Sequence, residues 1–400
     1  MGNCQKYAIN EEKLVEAEAK LFRLTGMELN EFKIRNVVIN DQQDYVRTIQ
    51  CGKEDGEKVV LVHGYGGSGL IFFKIIKQLA EHFNLILIDI IGMGASSRPK
   101  FEAKTASEAD DFFVDFLESW RKAMDLTNFY LCGHSFGGYI CGHYAYRYPE
   151  HLKKVLMLSP AGVVWVPADF DISKMKFKNG KSPSKMVKSI AESVWEKKWS
   201  PFGVMRKSGK FIGKKIIKSY LNKRMNMLTD EEQQIMLDYM YQIFMKDGST
   251  EYAIFICFKL GMFAENPLET EDRLGNPDLP IPVSFFYGDQ DWMDRKGGDR
   301  TVERNKFADT LSFVYIINNS DHHMYLDNPD EFAKAIIHDI QYTNDRYELV
   351  GEQYGNHISN RITKRDGLDR TGQEESKSND QFDIESDMME NSQEKVQPQH

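Results

Sequence analysis

Cysteine is scarce in this chain of 400 residues. There are five, at positions 4, 51, 132, 141 and 257, odd in number and without a CxxC pair. That pattern excludes a disulfide framework and a structural zinc site and points to a reduced, intracellular protein. No apolar run approaches the ~18 residues that a membrane-spanning helix needs. The polar start Met1-Gly2-Asn3-Cys4 predicts no secretory signal. No repeat at a period of ~20–50 residues is visible, and no RNA- or DNA-binding motif appears. What is present is 41% hydrophobic and 12% aromatic residues, enough for a sizeable core.

The net charge of -9 hides two opposed regions. From Ser173 to Arg224, sixteen Lys/Arg face only Glu192 and Glu196; from 351 to 400, eleven acids face six Lys/Arg. Within the basic block the cations interleave with Phe177, Trp195, Trp199, Phe202 and Phe211. Lysine with interfacial tryptophan suits an anionic membrane or lipid-droplet surface, or a phosphate-bearing substrate. The strongly acidic remainder argues against a nucleic-acid partner.

Short buried runs alternate with helical patterns up to residue 160, as Val59–Val62, Leu85–Ile88, 128–132 and 153–158 show. This alternation predicts parallel βαβ units in a doubly wound sheet. Residues 161–275 are helical, rich in Met and Lys, and break the pattern. The strand pattern resumes at Ile281–Tyr287 and Phe313–Ile317, followed by a helix over 329–341. The expected units are an N-terminal helix with the first strands (1–57), the first part of an α/β core (58–160), a helical basic cap (161–275), the second part of the core (276–343) and a disordered acidic tail (344–400).

Gly133-His134-Ser135-Phe136-Gly137 fits G-x-S-x-G between a predicted strand and a predicted helix. That is the context of a nucleophile elbow, where small residues at 133 and 137 leave room for a strained, exposed serine. His63-Gly64-Tyr65-Gly66-Gly67 follows the first central strand. Its place beside the elbow makes the backbone N–H groups of Tyr65 and Phe136 the candidate oxyanion hole. Gly64 through Gly69 also satisfies G-x-G-x-x-G, with Asp89 twenty residues on; this dinucleotide reading is the remote alternative, because it leaves His63, Ser135 and the C-terminal acid and histidine unused. A triad in the order Ser…Asp…His then needs an acid from the loop Asp289-Gln290-Asp291-Trp292-Met293-Asp294 and a histidine from His322-His323. Asp291 and Asp294 are the rival acids. Neither histidine is accompanied by a metal-ligand pattern, and no metal is expected. Gly2 and Cys4 are candidates for myristoylation and palmitoylation, although Lys6 stands where Ser or Thr is preferred.

Together these segments, with Ser96-Ser97-Arg98-Pro99, Ser159-Pro160-Ala161-Gly162 and His322 through Asp327, resemble the α/β-hydrolases. More narrowly they are similar to the subfamily of α/β-hydrolase domain-containing proteins 4 and 5 and their plant and yeast acyltransferase relatives. The resemblance implies an α/β-hydrolase fold, a mostly parallel sheet carrying an inserted helical cap. It also implies a phospholipid or lysophospholipid substrate, cleaved as a lipase would or acylated as lysophosphatidic acid. It implies no cofactor beyond acyl-CoA as co-substrate for transfer, and a cytoplasmic protein peripheral to intracellular membranes or lipid droplets. The H-x4-D motif of the acyltransferase assignment is His322…Asp327. In some relatives asparagine replaces the serine and the protein is a non-catalytic co-activator; here Ser135 is kept. The superfamily spacing selects Asp291, whereas relatives lacking that acid retain the one matching Asp294. The reading is therefore a serine hydrolase with Ser135, His322 and Asp291 as its triad.

Overall fold

The computed structural model describes residues 11–166 and 184–350. Gly2, Cys4, the start of the basic block and the tail beyond 350 lie outside the described residues. Eight strands form one sheet: β1 (Lys33–Val38), β2 (Tyr45–Gly52), β3 (Lys58–Val62), β4 (Asn84–Ile88), β5 (Phe129–His134), β6 (Leu152–Leu158), β7 (Val283–Gly288) and β8 (Val314–Ile317). Their order is β1-β2-β4-β3-β5-β6-β7-β8, with β2 antiparallel to both neighbours and every other pair parallel.

The central strands carry continuous apolar runs because both faces are covered. Successive side chains of β3 go to opposite sides. Val59 and Leu61 pack with α1 (Glu11–Leu24), α2 (Phe73–Ala80) and the C-terminal helix. Val60 and Val62 pack with α3 (Ala106–Ala123) and α4 (Phe136–Arg147).

The cap contains α5 (Lys185–Glu196), α6 (Pro201–Arg224), α7 (Asp230–Phe244) and α8 (Ile254–Cys257). Pro201 stands at the first turn of α6, where its missing N–H costs nothing, and Ser200 caps that helix by accepting from Phe202 and Gly203 N–H. α6 bends at Gly209, whose φ of +79° is open to glycine without strain. Arg98 clamps the cap to the base: its guanidinium donates to the carbonyls of Met93, Gly94 and Ser96 and reaches that of Ile243 on α7.

After the cap come α9 (Lys296–Arg304), α10 (Met324–Asp327) and α11 (Pro329–Val350). Two elements depart from expectation. Helix α9 is not anticipated by sequence because Gly297 and Gly298 weaken the helical pattern; they are there because a Cβ at 298 would come within 2.9 Å of the Phe285 ring. α11 runs on through 344, where the polar tail was expected. Asn344 accepts a 2.7 Å hydrogen bond from the Tyr130 hydroxyl, and Tyr347 donates to the Lys153 carbonyl, so the helix is held to the sheet past its apolar stripe.

Candidate active site

β5 ends at His134 and α4 begins at Phe136, leaving Ser135 alone on the turn. Its φ of +54° is rare for a non-glycine residue and marks local strain. Two neighbouring backbone bonds hold it there: Ser135 N–H donates to the Leu158 carbonyl, and Ala161 N–H donates to the Ser135 carbonyl. The tight approach needs glycine on both sides. A Cβ at 133 would lie 2.6 Å from the Gly137 carbonyl oxygen, and one at 137 would lie 2.3 Å from that of His63. At Gly64 a Cβ would come to 3.0 Å from the Ser135 side chain.

The parallel order brings the C-terminal ends of β5, β6, β7 and β8 together. His322, past β8, places Nε2 3.0 Å from Ser135 Oγ. Its Nδ1 faces Asp291 Oδ1, past β7, at 3.4 Å, longer than a good hydrogen bond. The gap is bridged by Ser159 at the end of β6. Its hydroxyl accepts from His322 Nδ1–H at 2.6 Å and donates to Asp291 Oδ2. Ser159 is fully buried and also has a positive φ, +43°, fixed by its N–H on the Phe286 carbonyl. Burial pushes the Asp291 carboxyl up, but the His322 ring, the Ser159 hydroxyl and the Met293 N–H outweigh it and hold the group below the usual carboxylate range.

The rival residues go elsewhere. Asp294 is exposed and caps the Lys296 N–H, and Asp289 accepts from the Ser320 N–H. His323 is buried and bonds the Arg224 backbone; burial, followed by the neighbouring His322, pushes its pKa well down. Asp327 accepts from Asp321 N–H and so braces the histidine loop. His63 donates from Nδ1 to the Gly64 carbonyl and accepts the Ile90 N–H at Nε2, while burial pushes its pKa down to about 4. It is a neutral brace for the loop carrying Tyr65. Asp89, the acid of the dinucleotide reading, is buried and accepts Gly69 and Ala95 N–H at 2.6 Å, so it braces the protein's own loops and is closed to solvent. Phe136, as the first residue of α4, presents an N–H with no partner inside its helix.

The model of the alpha/beta hydrolase fold matches residues 58–329, which contain the sheet from β3 onward, the elbow and both loops of the acid and histidine. The chain belongs to the α/β-hydrolase family. Curated relatives carry lipid activities in their names. A probable 1-acylglycerol-3-phosphate O-acyltransferase of Oryza sativa subsp. japonica is 31% identical over 306 residues, 75% of this chain and 71% of that protein. A (lyso)-N-acylphosphatidylethanolamine lipase of Homo sapiens is 26% identical over 313 residues, 78% of this chain and 87% of that one. The naproxen esterase of Bacillus subtilis shares the fold at a TM-score of 0.57 and 15% identity, covering 82% of this chain and 98% of that one.

In this α/β-hydrolase the serine opens into a cavity of about 780 Å³ between the sheet edge and the cap. Its walls are almost wholly apolar, with Met205, Ile217, Met240 and Phe244 from α6 and α7 and Trp195 and Phe255 on the opposite side. Among the described residues no cluster of three or more His, Cys, Asp or Glu is placed to hold a metal ion.

Sequence reasoning missed Ser159 and His134. Ser159 stood in a segment of the family resemblance, but its bridging role shows only once β6 is known to lie between β5 and β7. His134 was read only as the variable position of the motif. Its Nε2–H donates to the His322 carbonyl at 3.0 Å and helps aim the histidine loop.

Proposed function

We propose that this α/β-hydrolase is a serine-dependent lipid enzyme that opens acyl ester or amide bonds of phospholipids or lysophospholipids. The observation that carries the reading is His322 Nε2 at 3.0 Å from Ser135 Oγ, at the foot of an apolar cavity large enough for an acyl chain. His322 takes the Ser135 proton as Oγ bonds to the acyl carbon. The N–H groups of Tyr65 and Phe136 receive the oxyanion, each contributing about 3 kcal/mol to the barrier reduction. Collapse expels the glycerol oxygen, the amine or, from acyl-CoA, the thiol, which takes the proton from His322 and leaves an acyl-enzyme. Water, or the hydroxyl of a lysolipid, gives up its proton to His322 as it attacks the acyl carbon; Ser135 departs and regains the proton. Asp291 and Ser159 hold the His322 ring in the required tautomer. The chemistry calls for no cofactor; acyl-CoA enters only as an acyl donor. Incubation with lysophospholipids and phospholipids, with and without acyl-CoA, should release fatty acid, or form diacyl product in the transfer case. Folded protein that turns over none of them would end the lipid reading.

The cap supplies the contact with lipid. No helix among the described residues is long and apolar enough to cross a membrane. Phe211, 83% exposed, and Trp199, 57% exposed, project from α6 and the turn before it, beside the exposed Lys207, Lys210, Lys215 and Lys218. Lys214, by contrast, is paired with Asp238. This face suits peripheral attachment to an anionic intracellular membrane or lipid droplet, with Gly2 and Cys4 as candidate acylation points. Each cation near such a surface contributes about 1 kcal/mol. Replacing the four exposed lysines by glutamate should cut binding to vesicles containing phosphatidylserine at least ~100-fold in sedimentation, with less effect on neutral vesicles. Equal binding of wild type and variant to anionic vesicles would refute this orientation.

A further inference from the structure

Among the described residues, one Lys or Arg lines the cavity. Arg224, at the C-terminal end of α6, lines it, and its guanidinium stacks 5.8 Å over the Trp292 ring. Trp292 in turn lies 5.3 Å from the His322 ring. The Arg224 carbonyl is bonded by His323, so the backbone under this side chain is tied to the histidine loop itself. Among the described residues no carboxylate lies within ion-pair distance of Arg224, unlike Arg206, which holds Glu251 through both of its terminal nitrogens. A positive residue in the last turn of a helix gains from the helix dipole wherever it points. That gain does not require it to cross to the cavity and stack on the tryptophan beside the catalytic histidine.

The place is the rim. Trp292 is 45% exposed and Tyr220 40%, and both line the cavity, so the guanidinium sits where the apolar chamber meets solvent. The chamber has room for a hydrocarbon chain, and Ser135 stands at its wall. An acyl ester with its carbonyl at Ser135 and its chain inside directs its headgroup outward, toward the rim that Arg224 and Trp292 line. The group that suits a planar, unpaired guanidinium there is a phosphate, whose oxygens accept two parallel N–H bonds.

We propose that Arg224 is the phosphate anchor of the cavity, gripping the phosphate group of an acyl-bearing ligand at the rim while Trp292 fixes the plane of the guanidinium. The proposal rests on the lipid reading above and names the ligand group it selects. Two sources share that chemistry: the phosphate of a lysophospholipid and those of acyl-CoA.

The test measures binding rather than turnover, so it stands apart from the catalytic reading. Ether-linked ligands are titrated into Ser135→Ala protein with and without Arg224→Gln: an alkylglycerol 3-phosphate, the phosphate-free alkylglycerol of the same chain, and an alkyl-CoA thioether. Arg224→Gln should weaken a phosphate-bearing ligand about tenfold to a hundredfold more than the phosphate-free one. Arg224→Lys should restore part of the loss, since it keeps the charge without the fork. Loss confined to the alkylglycerol phosphate assigns the anchor to the lipid headgroup, and loss confined to the thioether assigns it to CoA. Equal effects on all three ligands, or none, would overturn the assignment. A thermal melt of the doubly substituted protein that coincides with that of Ser135→Ala separates a lost anchor from a lost fold.

Discussion

Ser135→Ala is expected to abolish labelling by a fluorophosphonate probe and to lower turnover of any acyl substrate by ~10⁴-fold or more. The hydroxyl is the atom that forms the new bond, and nothing within reach replaces it. Ser159 also touches His322, but it is buried and committed to His322 and Asp291. The substitution should leave the fold intact. Alanine removes one oxygen from a turn whose backbone is pinned by Leu158 and Ala161, and its own φ preference matches that of serine. A thermal melt coinciding with wild type would show that only chemistry was lost. Wild-type protein, shown to be folded, that fails to label would sink the nucleophile.

The second large effect is expected at Asp291. Asp291→Asn should lower kcat by about 10³–10⁴-fold, because an amide can donate to Nδ1 and so favour the tautomer that puts a proton on the nitrogen facing Ser135. Asp294→Asn, altering an exposed side chain that caps a helix start, should change kcat by no more than about twofold. Ser159→Ala removes the bridge and lets the ring lean on a 3.4 Å contact, so kcat should fall about tenfold to a hundredfold with little change in KM. The two substitutions should be markedly non-additive, since each breaks the same bridge. Because the Asp291 carboxyl is held below its usual range, it stays ionised on mild acidification. The stability it contributes is present above the ordinary carboxylate value and lost only as pH falls through its lowered one. If Asp294→Asn were the damaging change and Asp291→Asn the mild one, the acid would have to be reassigned.

Much of this was legible in residue order. Val59–Val62 and Leu85–Ile88 announce strands covered on both faces, and a serine between glycines at 133 and 137 announces the elbow. Asp291 was chosen over Asp294 on the family's spacing; the physical reason, which side chain turns inward beneath His322, lies in the fold and not in the loop sequence. The role of Ser159, though its segment was noted, was hidden for a topological reason. It joins the site only through the neighbourhood of β6 with β5 and β7, which no local pattern encodes. Arg224 was one of sixteen cations in a block, and its difference from the others is a matter of direction. The segments that carry the family resemblance also proved partly structural. Ser96 and Ser97 accept the N–H groups of Arg47 and Tyr45, and Arg98 clamps the cap, so this run secures the frame around the serine.

The reactive groups come from four strand ends, and the histidine arrives on the last of them. A nascent chain that ends at the elbow therefore lacks the imidazole that the proposed chemistry needs. The proposed constellation is complete only once the segment after β8 has joined the sheet edge. On the proposed mechanism, arming last is a consequence of strand order alone.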